Sequence, residues 1–252
     1  MNKMVIYFGD DDMTRAAAYL SGILYHYGIP FHRVDSTQSP CDDFWKSGDN
    51  TLILSDYPRA NFLPGQLEKI RDAVHDGAGL IMLGGWESYH GLNGEYHDTP
   101  LAEVLPVIML DRDDRRNFSQ GVLLCREQEH PILENLPWDC PPLVGGLNEF
   151  LPKPRTRTLL TGKPLDVRVS GETISCAEQR IFDGKTYPML VVGEYGKGRT
   201  AAFATDVAPH WVGGFVDWGK ERITQKLPTG GFIEIGADYA RFFAQLVNWA
   251  GA

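Results

Sequence analysis

The chain has 252 residues, of which 43% are hydrophobic and 23% charged, a balance typical of a globular protein with a packed core. Its formal net charge of −9 argues against a nucleic-acid partner, because such a surface needs basic patches that neutralise phosphate. We find neither a signal-peptide pattern nor an apolar run near the roughly 20 residues of a membrane helix, so we expect a soluble cytoplasmic protein with no membrane partner.

The first half of the chain alternates short apolar runs with helical patterns. In chain order, we predict a strand at 4–8, a helix at 13–27, strands at 29–34 and 51–54, a helix at 64–76 and a strand at 80–83. Strand–helix alternation with continuous apolar strands is typical of parallel sheets covered by helices. The pattern therefore predicts an α/β fold with a doubly wound, mainly parallel sheet.

The second half is rich in strand-like segments and turn signals. We predict strands at 118–125, 156–160, 173–182, 187–194 and 200–204, and a final helix at 236–250. The turn signals Asp183-Gly184-Lys185 and Gly196-Lys197-Gly198 predict antiparallel hairpins added to the parallel sheet. Because no linker or low-complexity tract interrupts the chain, we predict a single domain over residues 1–252.

Ligands of such sheets bind outside the carboxyl ends of the strands. Four loops are expected to meet there: Gly9–Asp12, the segment after Val34, Ser55–Pro58 and Gly84–Gly91. We therefore expect a crevice for a small polar molecule at this edge.

Several local patterns occur in a fixed order along nearly the whole chain. They are the glycine-marked turn after the fourth strand, HPI at 130–132 followed by LP at 136–137, YGKGR at 195–199, and FF at 242–243 followed by NW at 248–249. Together they resemble the class I glutamine amidotransferase-like superfamily, near its trehalose-utilisation-type branch. The resemblance implies a flavodoxin-like sheet.

Active members of that superfamily carry a cysteine at the elbow after the fourth strand, and a histidine and a glutamate two residues apart after a late strand. The histidine stabilises the thiolate and the carboxylate orients the histidine. Carried onto this sequence, the elbow falls on Gly85 or Trp86, and the position two residues after His210 is Val212. We therefore expect no cysteine-dependent glutaminase activity.

A serine nucleophile is an alternative, with Ser88 activated by His210 and the histidine oriented by Asp206 or Glu87. The turn reads GGWES instead of the G-x-S-x-G of a serine elbow, which favours Ser88 as a capping or solvated residue.

Two polar groups suggest other ligands. Glu87, His90, Glu95, His97 and Asp98 fit no standard metal-ligand spacing, so we interpret the stretch as a polar loop and predict neither a metal nor a cofactor.

Asp10, Asp11, Asp12 and Asp56 resemble the acidic residues of a phosphate-receiver domain, but the length and the hairpin-rich second half favour helix capping. Trp86, Trp211 and Trp218 flank predicted loops, where a ring could form one wall of a pocket.

The sequence leaves three functions open. The first is an amidotransferase-like protein that binds a small polar ligand through Gly85, Trp86, His90, Asp56, Asp10, Glu149 and Trp211. The second is a hydrolase of sugar-derived or amide substrates, with His210 acting together with Glu87, Ser88 or Glu149. The third is a structural or oligomerisation module, and a homo-oligomer remains open.

Overall fold

The computed structural model describes residues 4–41, 50–169, 177–181 and 184–252. Its strands are β1 Met4–Gly9, β2 Phe31–Val34, β3 Asn50–Ser55, β4 Gly79–Leu83, β5 Val107–Met109, β6 Arg115–Arg126, β7 Leu143–Asn148, β8 Phe150–Pro152, β9 Arg157–Val169, β10 Ala177–Ile181, β11 Tyr187–Tyr195, β12 Gly198–Phe203, β13 Arg222–Lys226 and β14 Phe232–Gly236. Its helices are α1 Ala17–His26, α2 Gln66–Asp76, α3 Leu101–Val104, α4 Pro209–Val212 and α5 Ala237–Ala250. Within these residues, no helix has the length and apolar character needed to span a membrane.

The main sheet has the strand order β2-β1-β3-β4-β12-β11-β9-β6-β7, and β10 pairs with β9. The pairs β2–β1, β1–β3, β3–β4 and β4–β12 are parallel, and every pair from β12–β11 onward is antiparallel. Helix α1 packs against α5 and α2 against α3, and both α2 and α5 contact β12. The fold is α/β and flavodoxin-like, with a largely parallel sheet extended by antiparallel hairpins, as predicted.

The parallel strands are apolar because helices cover them. All five residues of β4 are buried, which explains the continuous apolar run in the sequence. Since parallel strands end at the same edge, the residues that follow β1, β3, β4 and β12 lie side by side. Backbone bonds join them there: Asp10 N donates to Ser55 O over 3.1 Å and Gly84 N to Thr205 O over 3.0 Å.

Some predicted boundaries were wrong. Helix α1 begins at Ala17, not at residue 13, because Asp12 Oδ1 accepts a hydrogen bond from Thr14 N (2.7 Å) and the chain turns before the helix. Helix α2 begins after Gly65, whose φ of +84° is left-handed. The strand predicted at 156–160 continues to Val169, because β6 and β10 both pair with its second half.

The predicted hairpin at Gly196 is confirmed, and it joins β11 to β12. The strand predicted at 173–182 lies partly outside the described residues; its described part, β10, is antiparallel to β9. The hairpin β13–β14 and the antiparallel pair β5–β8 were missed. The single-domain assignment stays a prediction.

Candidate functional site

Two aspartates at the carboxyl edge of the sheet have left-handed backbones. Asp10, directly after β1, has φ +50°, and Asp56, directly after β3, has φ +43°. Non-glycine residues rarely adopt this region, although aspartate tolerates it better than most, and such strain clusters at functional sites. Both carboxylates are therefore candidate groups of a functional site.

Asp10 is buried, and the Tyr7 hydroxyl donates a hydrogen bond to its Oδ2. Burial, and then the charges of Asp206 and Asp56, raise the pKa of the Asp10 carboxyl well above its usual range. Its charged form is thus disfavoured unless a cation compensates it.

Asp56 links the loop after β3 to the turn after β4. Its Oδ1 accepts a hydrogen bond from Glu87 N (2.8 Å), and its own N–H donates to Ser88 Oγ (3.2 Å). Burial, followed by the charge of Asp206, raises the pKa of the Asp56 carboxyl to about 8. In the protein alone, this carboxyl is protonated near neutral pH.

Asp206 follows β12 and is fully buried. Its Oδ1 accepts hydrogen bonds from Val207 N (2.5 Å) and Ala208 N (2.9 Å), which fixes the carboxylate just before α4. Its Oδ2 lies 2.8 Å from His210 Nε2. This contact is an ion pair when the imidazole is protonated, and Oδ2 accepts no other hydrogen bond from the described residues.

His210 lies in the first turn of α4, with 53% of its side chain exposed. The contact with the Asp206 carboxylate raises the pKa of its imidazole, against the opposing effect of desolvation. Ligand atoms of Asp56, Asp206 and His210 all lie within 4.8 Å of one another. We call these three residues the Asp–His cluster.

The elbow after β4 is held by Asn148, at the end of β7. Gly85 N donates to Asn148 Oδ1 (2.8 Å), and Asn148 Nδ2 donates to Gly85 O (3.1 Å). A Cβ on Gly85 would lie 2.0 Å from Asp56 Oδ1, so glycine is required where the backbone meets this carboxylate.

Asp114 anchors the rest of the turn. This buried carboxylate accepts hydrogen bonds from His90 N (3.0 Å), Gly91 N (3.1 Å) and Asn148 Nδ2 (2.7 Å). Burial raises the pKa of Asp114, and these hydrogen bonds oppose the shift. Asp114 was not predicted as a site residue, because no local sequence pattern connects it with a turn more than 20 positions away.

Two predicted partners of His210 make other contacts. Ser88 is buried, and its hydroxyl accepts the hydrogen bond from Asp56 N. Glu149 pairs with Arg116 (2.9 Å) and Lys185 (2.7 Å). Among the described residues, neither Ser88 nor Glu149 makes a hydrogen bond or ion pair with His210.

The tryptophans differ in exposure. Trp86 is 49% exposed, and the Arg115 guanidinium lies 4.8 Å from the centre of its ring. Trp211 is buried, its indole N–H donates to Asn117 Oδ1 (2.8 Å), and its ring covers Gly146. Trp86 can therefore offer a ring to a ligand, whereas Trp211 serves packing.

The polar loop that follows Trp86 does not assemble a metal-ligand set. The rings of His90 and His97 face each other with centres 4.8 Å apart, and His90 Nδ1 is 3.2 Å from Gly91 O. In the part of the chain that the structure describes, the group that meets metal-binding distances is the Asp–His cluster.

Comparisons with known proteins agree with this fold. A family model described as "Putative glutamine amidotransferase" matches residues 44–226. The solved cytoplasmic protein STM3548 of Salmonella typhimurium is 23% identical, with a TM-score of 0.73 and 98% of both chains covered. The cytoplasmic protein STM1381 of Salmonella typhimurium LT2 is 24% identical, with a TM-score of 0.70 and coverage of 98% of this chain and 99% of that one.

A ThuA-like protein of Bacteroides uniformis is 15% identical, with a TM-score of 0.49 and coverage of 81% of this chain and 83% of that one. A search of curated proteins found no match.

Proposed function

The chain belongs to this glutamine amidotransferase-like family, and we propose that it binds a small polar ligand at the carboxyl ends of β1, β3, β4 and β12, without cysteine-dependent glutaminase activity. The observation that carries the proposal is the elbow after β4. It presents Gly85 and Trp86 in place of a nucleophile, beside an acidic cluster.

The hydrogen bonds of the elbow support the loss of amide hydrolysis. An oxyanion hole needs backbone N–H groups aimed at the developing charge. At this elbow, the N–H of Gly85 donates to Asn148 and the N–H of Glu87 donates to Asp56. His210 contacts a carboxylate rather than a thiol, and in the described residues no cysteine hydrogen-bonds to it.

The charges of the crevice indicate the ligand class. Asp10, Asp56 and Asp206 supply acceptor oxygens, which suit a ligand that carries hydroxyl or amino donors. The exposed ring of Trp86 suits the apolar face of a sugar. Because the two Salmonella proteins are described as cytoplasmic, we propose the same location for this chain.

A hydrolase is a second candidate, favoured by the raised pKa of Asp56. A carboxyl with a pKa of about 8 is protonated at neutral pH and can serve as a general acid. His210, held against Asp206, would be the matching base. Hydrolysis of an aryl glycoside or an amide that is lost in both Asp56→Asn and His210→Ala would support this function.

The binding proposal is tested by a thermal-shift screen of amino acids, sugars, polyols and amines on the full chain, since a ligand of the native state raises its melting temperature. We expect a hit whose effect shrinks in Trp86→Ala. The control is Phe232→Ala, which removes an exposed aromatic ring from β14 and should leave the effect intact.

Absence of any hit, with or without added divalent ions, would contradict ligand binding. Release of ammonia from glutamine that thiol alkylation abolishes would contradict the loss of glutaminase activity.

A further inference from the structure

We propose that Asp56, Asp206 and His210 bind a divalent first-row transition-metal ion. The ion would also help to hold the small polar ligand, and that role rests on the proposed function. The binding of the ion itself can be measured without any ligand.

The geometry of the Asp–His cluster suits one ion. Zinc bonds to carboxylate oxygen and imidazole nitrogen are about 2.0–2.2 Å long, so the ligand atoms of a tetrahedral site lie about 3.3–3.6 Å apart. Asp206 Oδ2 and His210 Nε2 are 2.8 Å apart, and an Asp56 oxygen lies within 4.8 Å of both. The three side chains together offer a three-ligand set.

Asp206 Oδ2 is buried at the centre of the cluster. It contacts His210 Nε2 at 2.8 Å and accepts no other hydrogen bond from the described residues. A carboxylate oxygen has room for a further partner. The backbone N–H groups that hold Oδ1 also fix the direction of Oδ2 toward His210.

The local charges favour a cation from solution. Asp10, Asp56 and Asp206 converge at the strand ends, and if all three carboxylates were charged, one imidazolium would balance only one of them. Arg33 donates to the backbone oxygen of Asp10 (2.8 Å), but its charge is paired with Asp35 at 3.0 Å. A bound divalent ion would be the largest local charge and would remove this repulsion.

The ligand types select the ion. Imidazole suits zinc, iron, nickel and copper, whereas sites for magnesium and calcium are built from oxygen alone. Two carboxylates and one imidazole therefore favour Zn²⁺ over Mg²⁺, and the carboxylates also suit Mn²⁺. Three protein ligands leave coordination positions open, and a hydroxyl or carboxyl group of the ligand could take one of them.

The test is isothermal titration of the EDTA-treated full chain with Zn²⁺, Mn²⁺ and Mg²⁺. We expect one Zn²⁺ or Mn²⁺ per chain, bound at least about tenfold more tightly than Mg²⁺. Asp206→Asn keeps an oxygen for the two backbone donors and removes the charged ligand atom, so the fold should persist. His210→Ala truncates a half-exposed side chain. Each variant should weaken binding by at least about tenfold.

The matched control is His75→Ala. His75 is also exposed and lies 3.4 Å from a neighbouring carboxylate, Asp76, but outside the cluster. Its substitution should leave the affinity unchanged.

Two results would overturn the proposal. One is an absence of stoichiometric Zn²⁺ and Mn²⁺ binding, which would leave Asp206 and His210 as an ordinary ion pair. The other is binding that survives both Asp206→Asn and His210→Ala, which would place the ion elsewhere. Neither result bears on the ligand screen without added divalent ions, so the metal proposal and the ligand proposal can fail separately.

Discussion

Replacing Asp114 with asparagine tests whether one buried carboxylate holds the turn after β4. In the wild type, Oδ2 accepts from His90 N, and Oδ1 accepts from Gly91 N and Asn148 Nδ2. Asparagine has one acceptor oxygen, so its amide nitrogen must face at least one of these donors. A buried donor without a partner costs about 1–3 kcal/mol. We therefore expect Asp114→Asn to lower the free energy of unfolding by about 1–3 kcal/mol.

The adjacent residue provides the matched control. Asp113 has 52% of its side chain exposed and pairs with Arg115 at 2.8 Å. An exposed ion pair contributes about 0–1 kcal/mol, so Asp113→Asn should cost less than Asp114→Asn. Urea unfolding of both variants measures the difference through the transition midpoint. An Asp114→Asn variant that costs no more than Asp113→Asn would refute the assigned role of Asp114.

Three further substitutions probe the site and its surroundings. Gly85→Ala places a Cβ 2.0 Å from Asp56 Oδ1, so this variant should bind Zn²⁺ more weakly in a titration. The control is Gly231→Ala, whose Cβ lies in open space and should leave Zn²⁺ binding unchanged. Asp56→Asn tolerates the left-handed backbone and keeps the acceptor for Glu87 N, and it removes a carboxyl whose charged form burial and Asp206 disfavour. In urea, it should stabilise the EDTA-treated protein by about 0.5–2 kcal/mol, and a loss of stability would contradict this.

The third substitution concerns His130, whose pKa is lowered from 6.5 to about 4 by burial and then by Arg157 and Arg199. The unfolded chain binds the proton first, so the stability present above pH 6.5 is lost as the pH falls toward 4. His130→Asn should reduce the dependence of the melting temperature on pH over that range. An unchanged dependence would argue against this role of His130.

The parallel half of the fold was predictable because its signals are local. A buried strand such as β4 is apolar at every position, and α2 ends at glycine, so periodicity and turn chemistry place both. The hairpin β13–β14 was missed, because alternate residues of β13 are exposed and its sequence carries no continuous apolar run. Helix α1 was predicted too long, because the side chain of Asp12 accepts a hydrogen bond within the turn that precedes the helix and does not cap the helix itself.

The candidate site was predictable only in part. Asp10 and Asp56 follow apolar strands, and the rule for parallel sheets brings such positions together. The bonds between Asn148 and Gly85 span 63 positions, and the pairing of Glu149 with Arg116 spans 33. No periodicity encodes such contacts, so the sequence could not show that Asn148 supports the elbow or that Glu149 pairs with Arg116. The role of Glu149 as a pocket residue stays a prediction.

The position of Asp56 bears on why the elbow lacks a nucleophile. Any side chain at Gly85 would begin 2.0 Å from Asp56 Oδ1, so a cysteine there would require Asp56 to move. Asp56 is itself held on both sides, by its hydrogen bonds with Ser88 and Glu87. The inward carboxylate of Asp56 and a cysteine at Gly85 therefore exclude each other as long as these hydrogen bonds hold Asp56 in place.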